Sequence, residues 1–174
     1  GFELRTDAWG GLRAARGVML STFGLGNGLG QASTPAGDNA PGMALAKQAQ
    51  QLASTFHQAA GTHQTVGLST AAGSVGGNKS NLDDKAAPAA ALTKSLSGMV
   101  STSSLGNANA DAADKATGTG QSKVPHMADP NIALVGKAGI GLTAGQDLHL
   151  SAQDTAQIAS GQDTHFAVGG QARI

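Results

Sequence analysis

Leu134, Leu142, Leu150, Ile158, Phe166 and Ile174 follow one another at intervals of eight residues without a break. Two positions earlier in each unit stand Ile132, Ile140, Leu148, Ala156, Thr164 and Ala172. Between them lie the small or polar Ala133, Gly141, His149, Gln157, His165 and Arg173. Successive side chains of a strand point to opposite faces, so positions six and eight of the unit share one face. We expect that face to point inward and position seven to point outward. A period of eight matches neither 3.5 nor 3.6, which excludes a helix. Eight extended residues would reach roughly 26 Å, so each unit reads as a short strand followed by a corner. The third position holds Gly145, Gly161 and Gly169, with Gln153 in another unit. Glycine at a corner suits positive φ or a close backbone approach. The same phase opens the chain through Phe2 and Leu4, Gly10 and Leu12, and Val18 and Leu20, with Arg5, Arg13 and Arg16 at corner or outer positions.

Such a chain has little to bury. Leu, Ile, Val and Phe number 31 of 174 residues, whereas Ala (33) and Gly (26) supply a third of the chain. That lies near the level at which chains stop building a core alone. Aromatics at 3% argue against an ordinary enzyme pocket. Zero net charge, with no basic stripe, argues against nucleic acid as a partner. No run reaches the roughly 20 apolar residues of a membrane span. The absence of cysteine excludes a disulfide framework and cysteine metal sites. The Gly1 start, lacking Met or a leader, suggests a piece of a longer chain. Three copies wound about one axis would gather three apolar side chains per layer, about 5–9 kcal/mol before entropy. A trimer answers the shortage.

The octad resembles that of VgrG spike proteins of type VI secretion and of contractile-phage tail needles. Gly1-Phe2-Glu3-Leu4-Arg5-Thr6-Asp7-Ala8-Trp9-Gly10 is similar to the start of the β-repeat domain that follows the VgrG core. Ala138–Leu142 and Gly145–Leu150 resemble its closing half, and Val135-Gly136 and Val168-Gly169 echo its valine–glycine pairs. The resemblance implies a mainly β fold, an intertwined, parallel, trimeric β-helix (a β-prism) forming the distal shaft of a puncturing spike. It implies a homotrimer and, as partners, a secreted effector or its adaptor, a spike tip protein and the tail tube. The target-cell membrane would be met only by mechanical puncture. The assembly would form in the bacterial cytoplasm and then be secreted or injected.

Residues 23–129 separate the segments 1–22 and 130–174 and differ in character. Asp38 or Asn39 can cap a helix over about 41–60, Pro41 suits its first turn, and Gly61 ends it. Its stripe is Leu45, Ala49, Leu52, Phe56 and Ala59. A second helix is expected over about 83–100, capped by Asn81, with Leu92, Leu96, Met99 and Val100 on its apolar side and Pro88 near its start. A weak helix is expected around 108–116. These stripes either pack on one another and on the stem or offer a docking surface to an effector, through Leu45, Leu52, Phe56, Leu92, Leu96 and Met99.

Several motifs approach chemistry and miss it. Gly73–Ser80 is one residue short of a P-loop, with Asn78 in place of a glycine. Gly24–Gly30 lacks the G-x-G-x-x-G spacing. Gly145-Gln146-Asp147 and Gly161-Gln162-Asp163 suggest calcium-binding β-rolls, whose period is nine rather than eight. His149 and His165 share the outward position, and His57 and His63 lack zinc-motif spacing. No cofactor, metal site or catalytic residue is therefore expected. The expected trimer core is Leu4, Leu12, Leu20, Leu134, Ile140, Leu142, Leu148, Leu150, Ile158, Phe166 and Ile174. The function this reading supports is a structural shaft that also carries or presents effectors. Its rivals are an adaptor acting mainly through the helical insertion, and a phage tail-needle or baseplate segment.

Overall fold

The structure, a computed structural model, describes residues 3–24, 38–72, 83–120, 122–153 and 156–172. Phe2, Asn81, Ile174, Leu25–Gly30 and the P-loop-like Gly73–Ser80 lie outside the described residues. The elements run β1 (Val18–Ser21), α1 (Ala40–Thr62), a 3-10 turn (Ser69–Ala71), α2 (Pro88–Ser95), β2 (Gly98–Ser101), α3 (Leu105–Ala113), β3 (Lys123–His126) and β4 (Ile132–Val135). They divide into two compact units, residues 1–46 with 92–148 and residues 47–91 with 149–174. No helix among the described residues is long and apolar enough to cross a membrane.

In the first unit β1 pairs in parallel with β4, in the register Val18↔Ile132, Met19↔Ala133, Leu20↔Leu134 and Ser21↔Val135. Asn131 O and Val135 O accept from the amides of Val18 (2.9 Å) and Thr22 (3.0 Å), and the Lys137 amide donates to Thr22 Oγ1 at 2.8 Å. Gly17 precedes the pair with φ +111°, and a Cβ there would meet Asn131 O at 2.8 Å and Met127 Cε at 2.9 Å. Only glycine suits both the backbone angle and the approach.

The same unit holds a second sheet, β2 antiparallel to β3, with α3 packed on β2. The Ser104 side chain caps α3 by accepting from the Asn107 amide at 3.1 Å. Asp111 near its far end accepts from the Ser101 amide (2.9 Å) and from Lys123 Nζ (2.7 Å). Asn39 stands at the start of α1, where its carbonyl accepts from the Met43 amide at 2.9 Å. It is almost fully buried; its Nδ2 donates to Leu96 O at 3.2 Å and its own amide to Pro125 O at 3.0 Å. Asn131 Nδ2 donates to Ser95 Oγ at 3.2 Å, while Ser95 O accepts the amides of Ala128 and Asp129. Asparagine and serine thus join α1, α2 and the approach to β4, in place of the large apolar residues the chain lacks.

Two helix expectations need correction. The second helix is confined to Pro88–Ser95, and Met99 and Val100 fall in β2. Pro88 sits at the first helical position, Gly98 favours leaving the helix, and β-branched Val100 suits a strand. α3 spans Leu105–Ala113, earlier than the weak helix expected at 108–116. In α1 the buried positions are Gly42 and Ala53, whereas Leu45, Ala49, Phe56 and Ala59 are exposed and Leu52 is half-buried. Of the two readings of this stripe, packing against the chain itself is not made by its exposed members. α1 also runs past Gly61, closing with Thr65 N–H on Ala60 O (2.9 Å) and Gln64 N–H on Gly61 O (3.2 Å). The left-handed residue is Gln64, at φ 54°. In the second unit, 66–68 passes so near α1 that a Cβ on Gly67 would meet His57 Nδ1 at 2.8 Å.

Outside β1 and β4, the described octad residues form neither helix nor hydrogen-bonded strand. Strand backbone needs partners along its edges, and among the described octad residues β1 and β4 supply them to each other. A mainly β chain is therefore not what a single copy displays: among the described residues three helices stand beside four strands of four residues each. The eight-residue step is nevertheless present in the backbone. It turns at 7–8, 15–16 and 23, and again at 137–138, 145–146, 153, 161–162 and 169–170. Hydroxyls brace two of these corners, Thr6 Oγ1 accepting from Ala8 N (3.1 Å) and Ser160 Oγ from Gln162 N (3.3 Å). Chain neighbours aside, no described residue comes within 4 Å of a Cβ built on Gly145, Gly161 or Gly169. The close approach, one of the two reasons offered for glycine there, is not made among the described residues.

Candidate functional site

β4 is apolar on both faces, and the two faces meet different fates. Ala133 and Val135 are buried with Met127, and Met19, Phe23 and Leu96 pack against them. Ile132 and Leu134 are exposed at 78% and 48%. Position seven of this unit therefore points away from the six-and-eight face, as the alternation requires, yet it is covered by the chain's own excursion. The six-and-eight face has no such cover. A shallow apolar groove of about 510 Å³ lies at the β1–β4 pair, lined by Leu20, Leu134 and Ile140 and also by Met19 and Val135 of the opposite face.

Exposed six-and-eight residues occur in both octad segments. Leu4, Leu12 and Leu20 of the first, and Ile140, Leu142, Leu148, Leu150, Ile158 and Phe166 of the second, are all exposed. Leu4 and Leu150 keep 85% and 78% of their surface in solvent, far more than a core residue retains. The structure brings Leu20 and Leu134 together and leaves the other described residues of the column exposed.

The six side chains read as a docking surface separate into two groups. Leu45, Phe56 and Leu92 are exposed and Leu52 is half-buried. Met99 is buried at 8%, and Leu96 packs on the Met127–Ala133–Val135 cluster, so these two hold the first unit together. Strand alternation turns Met99 inward, where a helical register had placed it with Leu92.

Several polar side chains of the first unit fasten its elements to one another. The Asp111 carboxyl lies below its ordinary value, chiefly through the hydrogen bond from Lys123, with the Ser101 amide adding to the effect and partial burial opposing it. Lys115 pairs with Asp129 nearby. His149 and His165 are exposed, and no group of three or more His, Asp or Glu side chains suited to a metal occurs among the described residues. Asn39, Ser95, Asn131 and the Asp111–Lys123 pair were not legible as fastening residues. Their partners stand far away in sequence, apart from the Asp38–Asn39 capping signal.

Residues 1–60 match the family model described as putative type VI secretion system Rhs element Vgr. Residues 119–174 match the model of an uncharacterized protein conserved in bacteria, DUF2345. The fold is similar to a solved structure of the VgrG spike from the type VI secretion system, with TM-score 0.64 and 20% identity over 99% of this chain and 47% of that one. It is also similar to a chain in the structure of the Tle1 effector bound to the VgrG spike, with TM-score 0.61 and 20% identity over 99% of this chain and 39% of that one. The chain thus spans less than half the length of these spikes. No curated protein matches it. Each family match takes in one of the two segments that share the octad, and in fold the chain is similar to VgrG spikes of type VI secretion.

Proposed function

We propose that this chain is one of three strands of a spike shaft, assembled by burying the six-and-eight face of each copy against the other two. The observation that carries this is β4, whose one apolar face is sealed by its own chain while Ile132 and Leu134 on the other stay exposed. Neighbouring copies would also supply strand partners to the octad backbone and crowd the corner glycines. The role is mechanical: interlocked chains resist bending while the spike is driven through a target envelope. No catalytic role is assigned. Light scattering after size exclusion tests the assembly; a mass three times 17.0 kDa is expected, and a folded monomer overturns the reading.

A similar spike has been solved with the effector Tle1 bound. We extend effector carriage to this chain and assign the docking surface to the outward face of α1, through Leu45, Leu52 and Phe56, with exposed Leu92 as a further contact. α1 has Lys47 as its single charged residue in 23, so apolar contact rather than charge would carry recognition. The spike tip protein and tail tube remain the expected partners at the ends of the shaft, with secretion or injection as its destination.

A further inference from the structure

An octad shaft has a register problem. Sliding one segment past another by a whole unit returns every inward residue to an inward position, so alternation alone does not forbid the slip. In a three-chain prism with a corner in every unit, each chain passes to the next face at each corner. Strands side by side on one face then belong to different copies. β1 and β4 break that pattern, because they are neighbours within one chain and Leu20 meets Leu134 at the same position of the unit.

We infer that the excursion between β1 and β4 is a register clamp: each chain fills two adjacent strand positions on one face of the shaft, and the non-repeating residues around that pair fix which unit meets which. The inference rests on the trimeric reading above. Its support is what a slip of one unit would do. Gly141 and Thr143 would replace the buried Ala133 and Val135 against Met127. If β1 rather than β4 moves to reach that register, Gly11 and Ala15 would replace Met19 and Phe23. Both empty the cluster. Asn131 is tied to Ser95 in α2, and its carbonyl crowds Gly17; neither partner has a counterpart one unit along. The Thr22 hydroxyl receives the Lys137 amide, whereas one unit earlier stands Ala14.

The chain has no cysteine, so engineered pairs report without background. Adjacent strands lie about 4.8 Å apart, within disulfide reach. In the assembled protein, oxidised Val18→Cys/Ile132→Cys is expected to run as a single chain on a denaturing, non-reducing gel with both thiols consumed. Leu20→Cys/Leu134→Cys provides a second pair should the first distort the strand. Val18→Cys/Ile140→Cys, one unit out of register, is expected to keep its thiols free. Covalent dimers and trimers from the matched pairs, free thiols in both matched pairs, or ready closure of the mismatched pair each overturn the clamp. Light scattering on the unmodified chain is read separately: a trimer with interchain bonds removes only the clamp, whereas a folded monomer removes the trimer and the clamp with it.

Discussion

Leu20 in β1 lies directly opposite Leu134 in β4, and these two apolar side chains keep 55% and 48% of their surface in solvent. One residue along, Met19 and Ala133 are paired in the same register and turned into the chain's own apolar cluster. The strand pair is finished on one side and open on the other.

That asymmetry makes mutational cost depend on assembly. Ile158 and Gln157 are both exposed in one chain, so a monomer would accept Asp at either. In a trimer Ile158→Asp places three charges in one layer and is expected to cost several kcal/mol per chain. Gln157→Asp is expected to stay within about 0.5 kcal/mol. Calorimetry with light scattering checks the contrast, and equal melting temperatures for the two variants would contradict it.

Gly42 inside α1 and Gln64 just beyond its end are both positions that favour glycine. Alanine normally stabilises a helix over glycine by about 1 kcal/mol. A Cβ on Gly42, however, would lie 2.1 Å from buried Asn39 Oδ1, and Gly42→Ala is expected to destabilise by about 1–3 kcal/mol. Gln64→Gly relieves a non-glycine left-handed residue and is expected to stabilise by up to about 1 kcal/mol. Denaturant midpoints of both variants test the signs.

The Asp111 carboxyl has a folded pKa below its unfolded value, so its contribution is complete above about pH 4 and lost as pH falls through the folded value. Below both values, wild type and Asp111→Asn should converge in stability; near pH 7 the wild type should be the more stable. Exchange of the Ser101 amide, which donates to Asp111, is expected to be faster in the variant at neutral pH. An unchanged difference from pH 7 to pH 2 would show that the carboxylate charge is immaterial.

Phe56→Glu with Leu45→Glu alters two exposed side chains of α1. Effector co-purification is expected to fall at least tenfold, while circular dichroism and trimer mass stay as in the unaltered chain. Undiminished capture would move the docking surface off α1.

The octad was readable because period-two alternation and an eight-residue recurrence are local properties, each set by a few neighbouring residues. It yields the shared six-and-eight face, the corners now seen at 137–138, 145–146, 153, 161–162 and 169–170, and the family resemblance. α1 was legible for a similar reason, through the Asp38–Asn39 cap and a helical stripe. What local pattern could not supply was the direction of that stripe. Leu45 and Phe56 face out because Asn39, Gly42 and Ala53 are small or hydrogen-bonded enough to be buried, a choice made by remote partners such as Leu96 and Pro125. Met99 became a strand residue through pairing with Pro125 and packing from α3, both non-local. The meeting of β1 with β4 is likewise tertiary. Two segments with one period can align at any multiple of eight, and only the shape of Gly17, Met127, Asn131 and Val135 in space selects Leu20 for Leu134.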